Sequence, residues 1–435
     1  MIAIFRRIKF RLRGGFLLRP LIVAICLGAT GALLSQLEEW VPGMNAWVPT
    51  ILFPSKSDPV VAQLILSTIA TSIMTVVAIV FSVLLMTLTL ASVQFSPRII
   101  INFIEDKITQ YTLGIFLGTF GFCVAALPAA RSYPHPFAPV LTVTVAMVLA
   151  FMCSCGLLYF ISHIAEAISA NHIIDRLARQ TEQMIDEMLP VKTGQAKVNP
   201  TSYLKTYANK TTVTSLVSGY IRLIDAKQLF HLAESHHASV QVLRRVGHYV
   251  PVGVPLFILS SEAELDEDVR DDFRATFYFG PTRTLQQDIE FGILKIVDIG
   301  LKAISPAVND PSTAINCIDQ LSAIMIYYAS RNAPDEVLTG ADGNVLVAIP
   351  WLDFERLLDS AFEQIRMYSK ADVAVSLRLF RALTDIAHTV PDNVSRKILA
   401  ERGRRILAGC AKNLEEDEIK EMRNRMSALE QLTGS

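Results

Sequence analysis

Charge is what much of this chain lacks. Residues 20–162 hold nine Asp, Glu, Lys and Arg side chains, whereas 163–435 hold sixty-six. The long apolar runs carry no acidic or basic residue at mid-length, and a proton-coupled pump usually needs one there, so that class is disfavoured. A surplus of one sign is missing too. Forty basic residues face 41 acidic ones, which gives no polyanion-binding signature, so no nucleic-acid partner is expected. Six cysteines occur, none in a C-x-x-C pair, and they read as buried free thiols rather than zinc or redox ligands. No Gly-x-Ser-x-Gly setting and no Gly-rich phosphate loop is present, and His236-His237 has no metal-ligating neighbour at useful spacing. The expectation is no catalytic residue, no metal and no cofactor, in a protein that is not an enzyme.

Apolar residues are what the chain has in excess. They make up 51% of it, and the mean hydropathy of +0.38 is too high for an ordinary soluble enzyme. Four uncharged runs reach the ~20 residues that a bilayer-spanning helix needs: Pro20–Leu37, Pro59–Pro97, Ile108–Ala130 and Ser132–Ala165. They predict a four-helix transmembrane domain over 20–165, with spans at about 20–37, 60–94, 111–130 and 138–162. The second run is over-long, at ~58 Å if helical throughout, so it must tilt, kink or project into water. Residues 1–19 hold six charges, all positive. With Arg98, Lys107, Arg176 and Arg179 on the same side, they predict both termini in the cytoplasm.

Past the membrane, 166–200 reads as a helical stalk and linker, the helix itself running over 163–189. Short β-type runs with turn residues between them predict a small β-barrel or sandwich over 201–262. Residues 263–435 read as mainly helical, with a short β-type insertion at Gly343–Pro350. The fold class is thus a multi-pass α-helical membrane domain plus a cytoplasmic α+β region.

Two patterns stand out as candidate sites. Thr68, Thr75, Ser82, Thr89 and Ser96 recur every seven residues on the second span, which puts small hydroxyl residues on one helix face. Such a face packs against another helix or lines a water path. Gly114, Gly118 and Gly121 on the third span read as a close helix contact. The second pattern is a soluble elbow built from Asp288, Glu290, Ser305, Asn309 and Asp310. Pro306 stops one helix there, and Asn309 or Asp310 caps the next ahead of Pro311. The alternative use of its carboxylates is a ligand or ion site.

Ser92-Val93-Gln94-Phe95-Ser96-Pro97-Arg98 closes the second span. Asp288 to Ile293 leads into Ser305-Pro306-Ala307-Val308-Asn309-Asp310-Pro311. In these two motifs the chain resembles a bacterial family of predicted membrane proteins, domain-of-unknown-function type 2254, over nearly its whole length. The resemblance implies a bacterial inner-membrane location and brings no catalytic residues. Two functions fit the sequence. The leading one is a homo-oligomeric channel or conduit gated from the cytoplasmic side. The other is a membrane-anchored sensor or scaffold whose soluble part binds a ligand, an ion or a protein partner. The lipid bilayer is the expected surrounding in both.

Overall fold

Asp58 opens the longest helix by accepting the Val60 N–H at 2.9 Å, and Pro59 suits the first helical position. The computed structural model describes residues 17–41, 58–94, 106–133, 135–167, 169–189, 204–205, 207–331, 337–340, 344–390 and 392–434, without the side chains of 91–94. Most of the basic N-terminal arm, Trp47, Ser96 with the rest of Phe95–Arg98, the linker 190–200 and the turn 341–343 lie outside the described residues. The chain divides into two units, Met1–Ser169 and Ala170–Ser435.

The first unit contains α1 (Leu18–Trp40), α2 (Pro59–Gln94), α3 (Lys107–Ala126) and α4 (Val140–Ala167). Each is long and apolar enough to cross a membrane. The helices α1 and α3 run in the same direction and touch along glycines: Gly114 lies against Pro20, Gly118 against Leu27, and Gly31 against the Phe122 backbone. A Cβ at Gly31 or Gly118 would overlap its neighbour, so the contact expected of the third span is present and α1 supplies its other half. The buried side of α2 is Ala62, Leu66, Ala70, Ile73, Val77, Val80 and Thr87, an apolar seam at helical spacing. Large side chains such as Leu21, Ile25, Leu85, Met86, Phe151 and Leu158 are exposed on the outside, as contact with lipid requires.

The second unit starts with α5 (Ala170–Met188), an amphipathic helix that buries Ile173, Ile174, Leu177, Met184 and Ile185. The helix expected over 163–189 is therefore interrupted between Ala167 and Ala170, and α5 packs into its own unit. The strands are β1 (Asn209–Thr214), β2 (Gly219–Ile224), β3 (Ala238–Val242), β4 (Tyr249–Val250), β5 (Pro255–Ser261), β6 (Phe277–Gly280), β7 (Val337–Thr339) and β8 (Val345–Ala348). They form a five-stranded sheet in the order β1-β5-β3-β8-β7 and a three-stranded sheet in the order β4-β2-β6. The β-type run near 343–350 is thus a sheet member: β8 pairs with β3 in parallel, Val240 opposite Val347. Phe257, Phe273, Phe277 and Val347 lie in the core between these elements.

The helices of this unit are α6 (Ala226–Ser235), α7 (Glu267–Ala275), α8 (Ile289–Ala303), α9 (Pro311–Ala329), α10 (Phe354–Tyr368), α11 (Val373–Thr389), α12 (Asn393–Cys410) and α13 (Glu416–Thr433). One device starts nearly all of them. Asp225, Asp266, Asp288, Asp310, Asp353, Asp372 and Asp392 each cap a helix by accepting the backbone N–H three residues on. The helix α8 packs against α5, α9 and α10, and Gln287 just ahead of it bonds the β2 backbone at Ile224, so its N-terminus meets both sheet and helices.

Candidate functional site

The N-terminus of α8 gathers the densest set of buried charges. Asp288 is its cap and accepts from Phe291 N at 3.0 Å. Its two oxygens also face Arg283, Nε to Oδ2 and Nη2 to Oδ1, both at 2.6 Å. Arg283 reaches Glu290 Oε2 at 2.8 Å with the same Nη2. Arg245 approaches Glu290 from the other side at 3.2 and 3.3 Å, and Ser360 of α10 donates to Glu290 Oε1 at 3.2 Å. Gly247, with φ at +87°, lets the 243–248 turn come this close, since a Cβ there would strike Asp288 and Arg283.

Electrostatics follow from this packing. Burial alone would raise the Glu290 pKa, but Arg245 and then Arg283 outweigh it and hold the carboxyl below its usual range. His248, half-buried beside Arg245 and Arg244, is pushed below the usual histidine value, first by burial and then by those cations. Phe291 receives both Arg283 and Lys295, at 5.3 and 5.0 Å from its ring centre. Gly292 lies where a side chain would overlap Thr181 of α5. Asp288, Phe291, Gly292 and Ile293, the last fully buried, thus each have a packing or charge role.

Beside the cluster is a cleft of about 70 Å³. Its walls are apolar, with Ile224, Val246, Ile289, Tyr328, Trp351 and Leu357 among them, and its polar lining is Arg245, Gln287 and Asp288. Gln287 is occupied with the Ile224 backbone, accepting at 3.0 Å and donating at 3.4 Å. Arg245 is under-satisfied: its Nε is buried without a hydrogen-bond partner among the described residues. Among the described residues, no group of three or more His, Cys, Asp or Glu is placed to hold a metal ion.

The elbow expected as one constellation is divided. Asp288 and Glu290 stand at the start of α8. Ser305, Asn309 and Asp310 follow its end, ~22 Å along the helix at 1.5 Å per residue. Ser305 Oγ donates to the Lys302 carbonyl, Asn309 adopts φ of +52°, and Asp310 caps α9 through Thr313 N at 3.1 Å and Oγ1 at 2.6 Å. Those hydrogen bonds from Thr313 lower the Asp310 pKa. The three C-terminal members form a turn and a cap, and the carboxylates do not converge. Arg245 and Arg283, the cations of this cluster, belong to neither of the two sequence patterns. Arg283 had one usable signal, its place five residues ahead of the motif aspartate.

Thr68, Thr75, Ser82 and Thr89 are exposed, on the side of α2 away from its buried seam. The last three donate to carbonyls of their own helix, four residues back, at 3.0, 3.0 and 2.8 Å. Ser96 lies outside the described residues.

The sequence matches, over residues 13–385, the family described as Predicted membrane protein (DUF2254). The uncharacterized proteins Mb1321c of Mycobacterium bovis and Rv1290c of Mycobacterium tuberculosis are each 30% identical to it over 388 residues, 87% of this chain and 72% of theirs. No solved structure matches the chain.

Proposed function

The chain belongs to the DUF2254 family of predicted membrane proteins, and from that premise we propose that it is a membrane-anchored, non-enzymatic sensor. Its unit 170–435 faces the cytoplasm of a bacterium, below the inner membrane, and binds a small molecule. The observation that carries this reading is the apolar cleft set directly against the Arg245–Glu290–Arg283–Asp288 cluster at the head of α8. Concave, mostly apolar sites with a few convergent polar groups are the usual form of small-molecule sites. Occupancy there would be felt by α8 and, through Ser360, by α10.

The test uses Trp351, which lines the cleft. In the full chain with Trp40→Phe and Trp47→Phe, titration with 1-butanol and with butyrate is followed by fluorescence. A saturable change with either probe, lost in Ala226→Phe, supports the reading. Absence of any saturable change with both overturns it.

A second reading, a homo-oligomeric channel gated by the same unit, is favoured by the outward placement of Thr68, Thr75, Ser82 and Thr89. Helices of one chain do not enclose that stripe, so copies related by symmetry would supply the pore. Single Cys replacements along it, in a chain free of native thiols, should react with a charged impermeant reagent if water lines the stripe. Protection throughout, with no flux from reconstituted liposomes, removes the channel.

A further inference from the structure

We propose that the ligand of the α8 cleft is a short-chain carboxylate, and that its head group takes the Arg245 guanidinium over from Glu290. The inference rests on the sensor reading and names what the cleft selects. Arg245 is the cleft's cation, and its bonding is poor: contacts of 3.2 and 3.3 Å to Glu290 are longer than the ~2.7–2.9 Å of strong charge-assisted pairs, and its buried Nε has no partner among the described residues. The other polar lining groups are committed elsewhere, Gln287 to the Ile224 backbone and Asp288 to Arg283 and Phe291 N.

Release of Arg245 does not strand its present partner. Glu290 keeps Arg283 at 2.8 Å and Ser360 at 3.2 Å. A carboxylate entering the cleft therefore offers Arg245 a closer partner, while Glu290 and Asp288 share Arg283 and the site takes on one net negative charge. Size limits the rest of the molecule. A volume of about 70 Å³ compares with the ~10–15 Å³ that one water needs on the same measure, so the enclosed part of the ligand is about five heavy atoms. The aliphatic and aromatic walls call for an apolar tail. Dicarboxylates would bring a second charge against those walls and against Asp288, and are excluded on that ground.

Butyrate, 1-butanol and succinate are the probes, read by Trp351 fluorescence and by thermal shift of the full chain. A hydrogen bond to a charged group is stronger than a neutral one, so butyrate should bind at least about tenfold more tightly than 1-butanol, with succinate weaker than butyrate. Arg245→Gln should erase the preference, Arg245→Lys should keep part of it, and Glu290→Gln should tighten butyrate binding by freeing Arg245. Saturable binding of 1-butanol at equal or greater strength than butyrate overturns the ligand class while leaving the cleft a binding site. Butyrate preference that survives Arg245→Gln, or is not strengthened by Glu290→Gln, overturns the exchange. No binding by any probe overturns both this inference and the sensor reading.

Discussion

Arg283 and Asp288 meet fork to fork, with two parallel bonds of 2.6 Å, while the same carboxylate caps α8. Asp288 is almost wholly buried and Glu290 largely so, which makes Arg283 the cation that both depend on. Removing it by Arg283→Ala leaves buried negative charge uncompensated, a change that costs ~3–5 kcal/mol. Arg283→Lys should recover only part, because an ammonium cannot make the paired fork. Thermal unfolding of the full chain in detergent measures both. Equal stability of the alanine and wild-type proteins would show that the cluster does not hold α8.

The same cluster sets two separate pH windows. His248 has a folded pKa below its ordinary 6.5, so the unfolded chain binds that proton first. Its contribution to stability is full above about pH 6.5 and is lost as pH falls through the folded value. Glu290 has a folded pKa below its ordinary 4.5. Its contribution is full above about 4.5 and is lost as pH falls through its own lower folded value. His248→Gln should therefore flatten the stability profile just below pH 6.5, and Glu290→Gln should flatten it only below pH 4.5. A Glu290→Gln variant whose acid limb matches the wild type contradicts the assignment.

Helix positions in the membrane were legible because length and lack of charge decide them. The helices Leu18–Trp40, Pro59–Gln94, Lys107–Ala126 and Val140–Ala167 fall on the four apolar runs. The Asp310 cap was legible for a similar reason, since Asn-Asp-Pro chemistry is local. What the sequence hid is non-local. The β3–β8 pairing joins Val240 to Val347 across more than a hundred residues, and periodicity carries no information about such partners. The site was half visible on the same principle: Asp288 and Glu290 sit in one motif, whereas Arg245 arrives on a turn that only Gly247 brings near. The seven-residue spacing of Thr68, Thr75, Ser82 and Thr89 shows in the sequence, but the apolar seam opposite it decides which face is buried.

Glycine positions between α1 and α3 differ in a way that can be tested singly. A Cβ at Gly31 would come within 2.9 Å of the Phe122 Cα and closer still to its carbonyl oxygen, where only backbone could yield. At Gly28 the nearest atoms are at 3.7 Å, ordinary contact. Gly31→Ala should lower the thermal stability of the solubilised protein by an overpacking cost of ~1–3 kcal/mol, and Gly28→Ala should be close to neutral. The reverse order would mean that α1 and α3 are not held by this contact.

Glu38 has no exposed surface inside the membrane unit. It ends α1, yet its partners are 103 and 104 residues away. Oε1 accepts from Leu141 N at 2.8 Å, and Oε2 accepts from Thr142 N and Thr142 Oγ1, both at 2.9 Å. Those backbone groups belong to the first turn of α4, whose N–H donors have no partner within the helix. Pro139, just before Val140, has no side-chain acceptor to cap them, so α1 supplies the cap from a distance. Glu38→Ala would leave two backbone donors unpaired at ~1–3 kcal/mol each and remove the acceptor of the Thr142 hydroxyl as well, whereas Thr142→Val removes a single hydroxyl bond and should cost ~1 kcal/mol. If capping is the whole role, Pro139→Asp in the Glu38→Ala background offers α4 a local acceptor and should restore ~1 kcal/mol. Thermal stability of the four proteins in one detergent decides this. A Glu38→Ala protein as stable as wild type would show that the α4 terminus is satisfied without α1. A large loss with no rescue by Pro139→Asp would mean that Glu38 holds α1 to α4 rather than serving α4 alone.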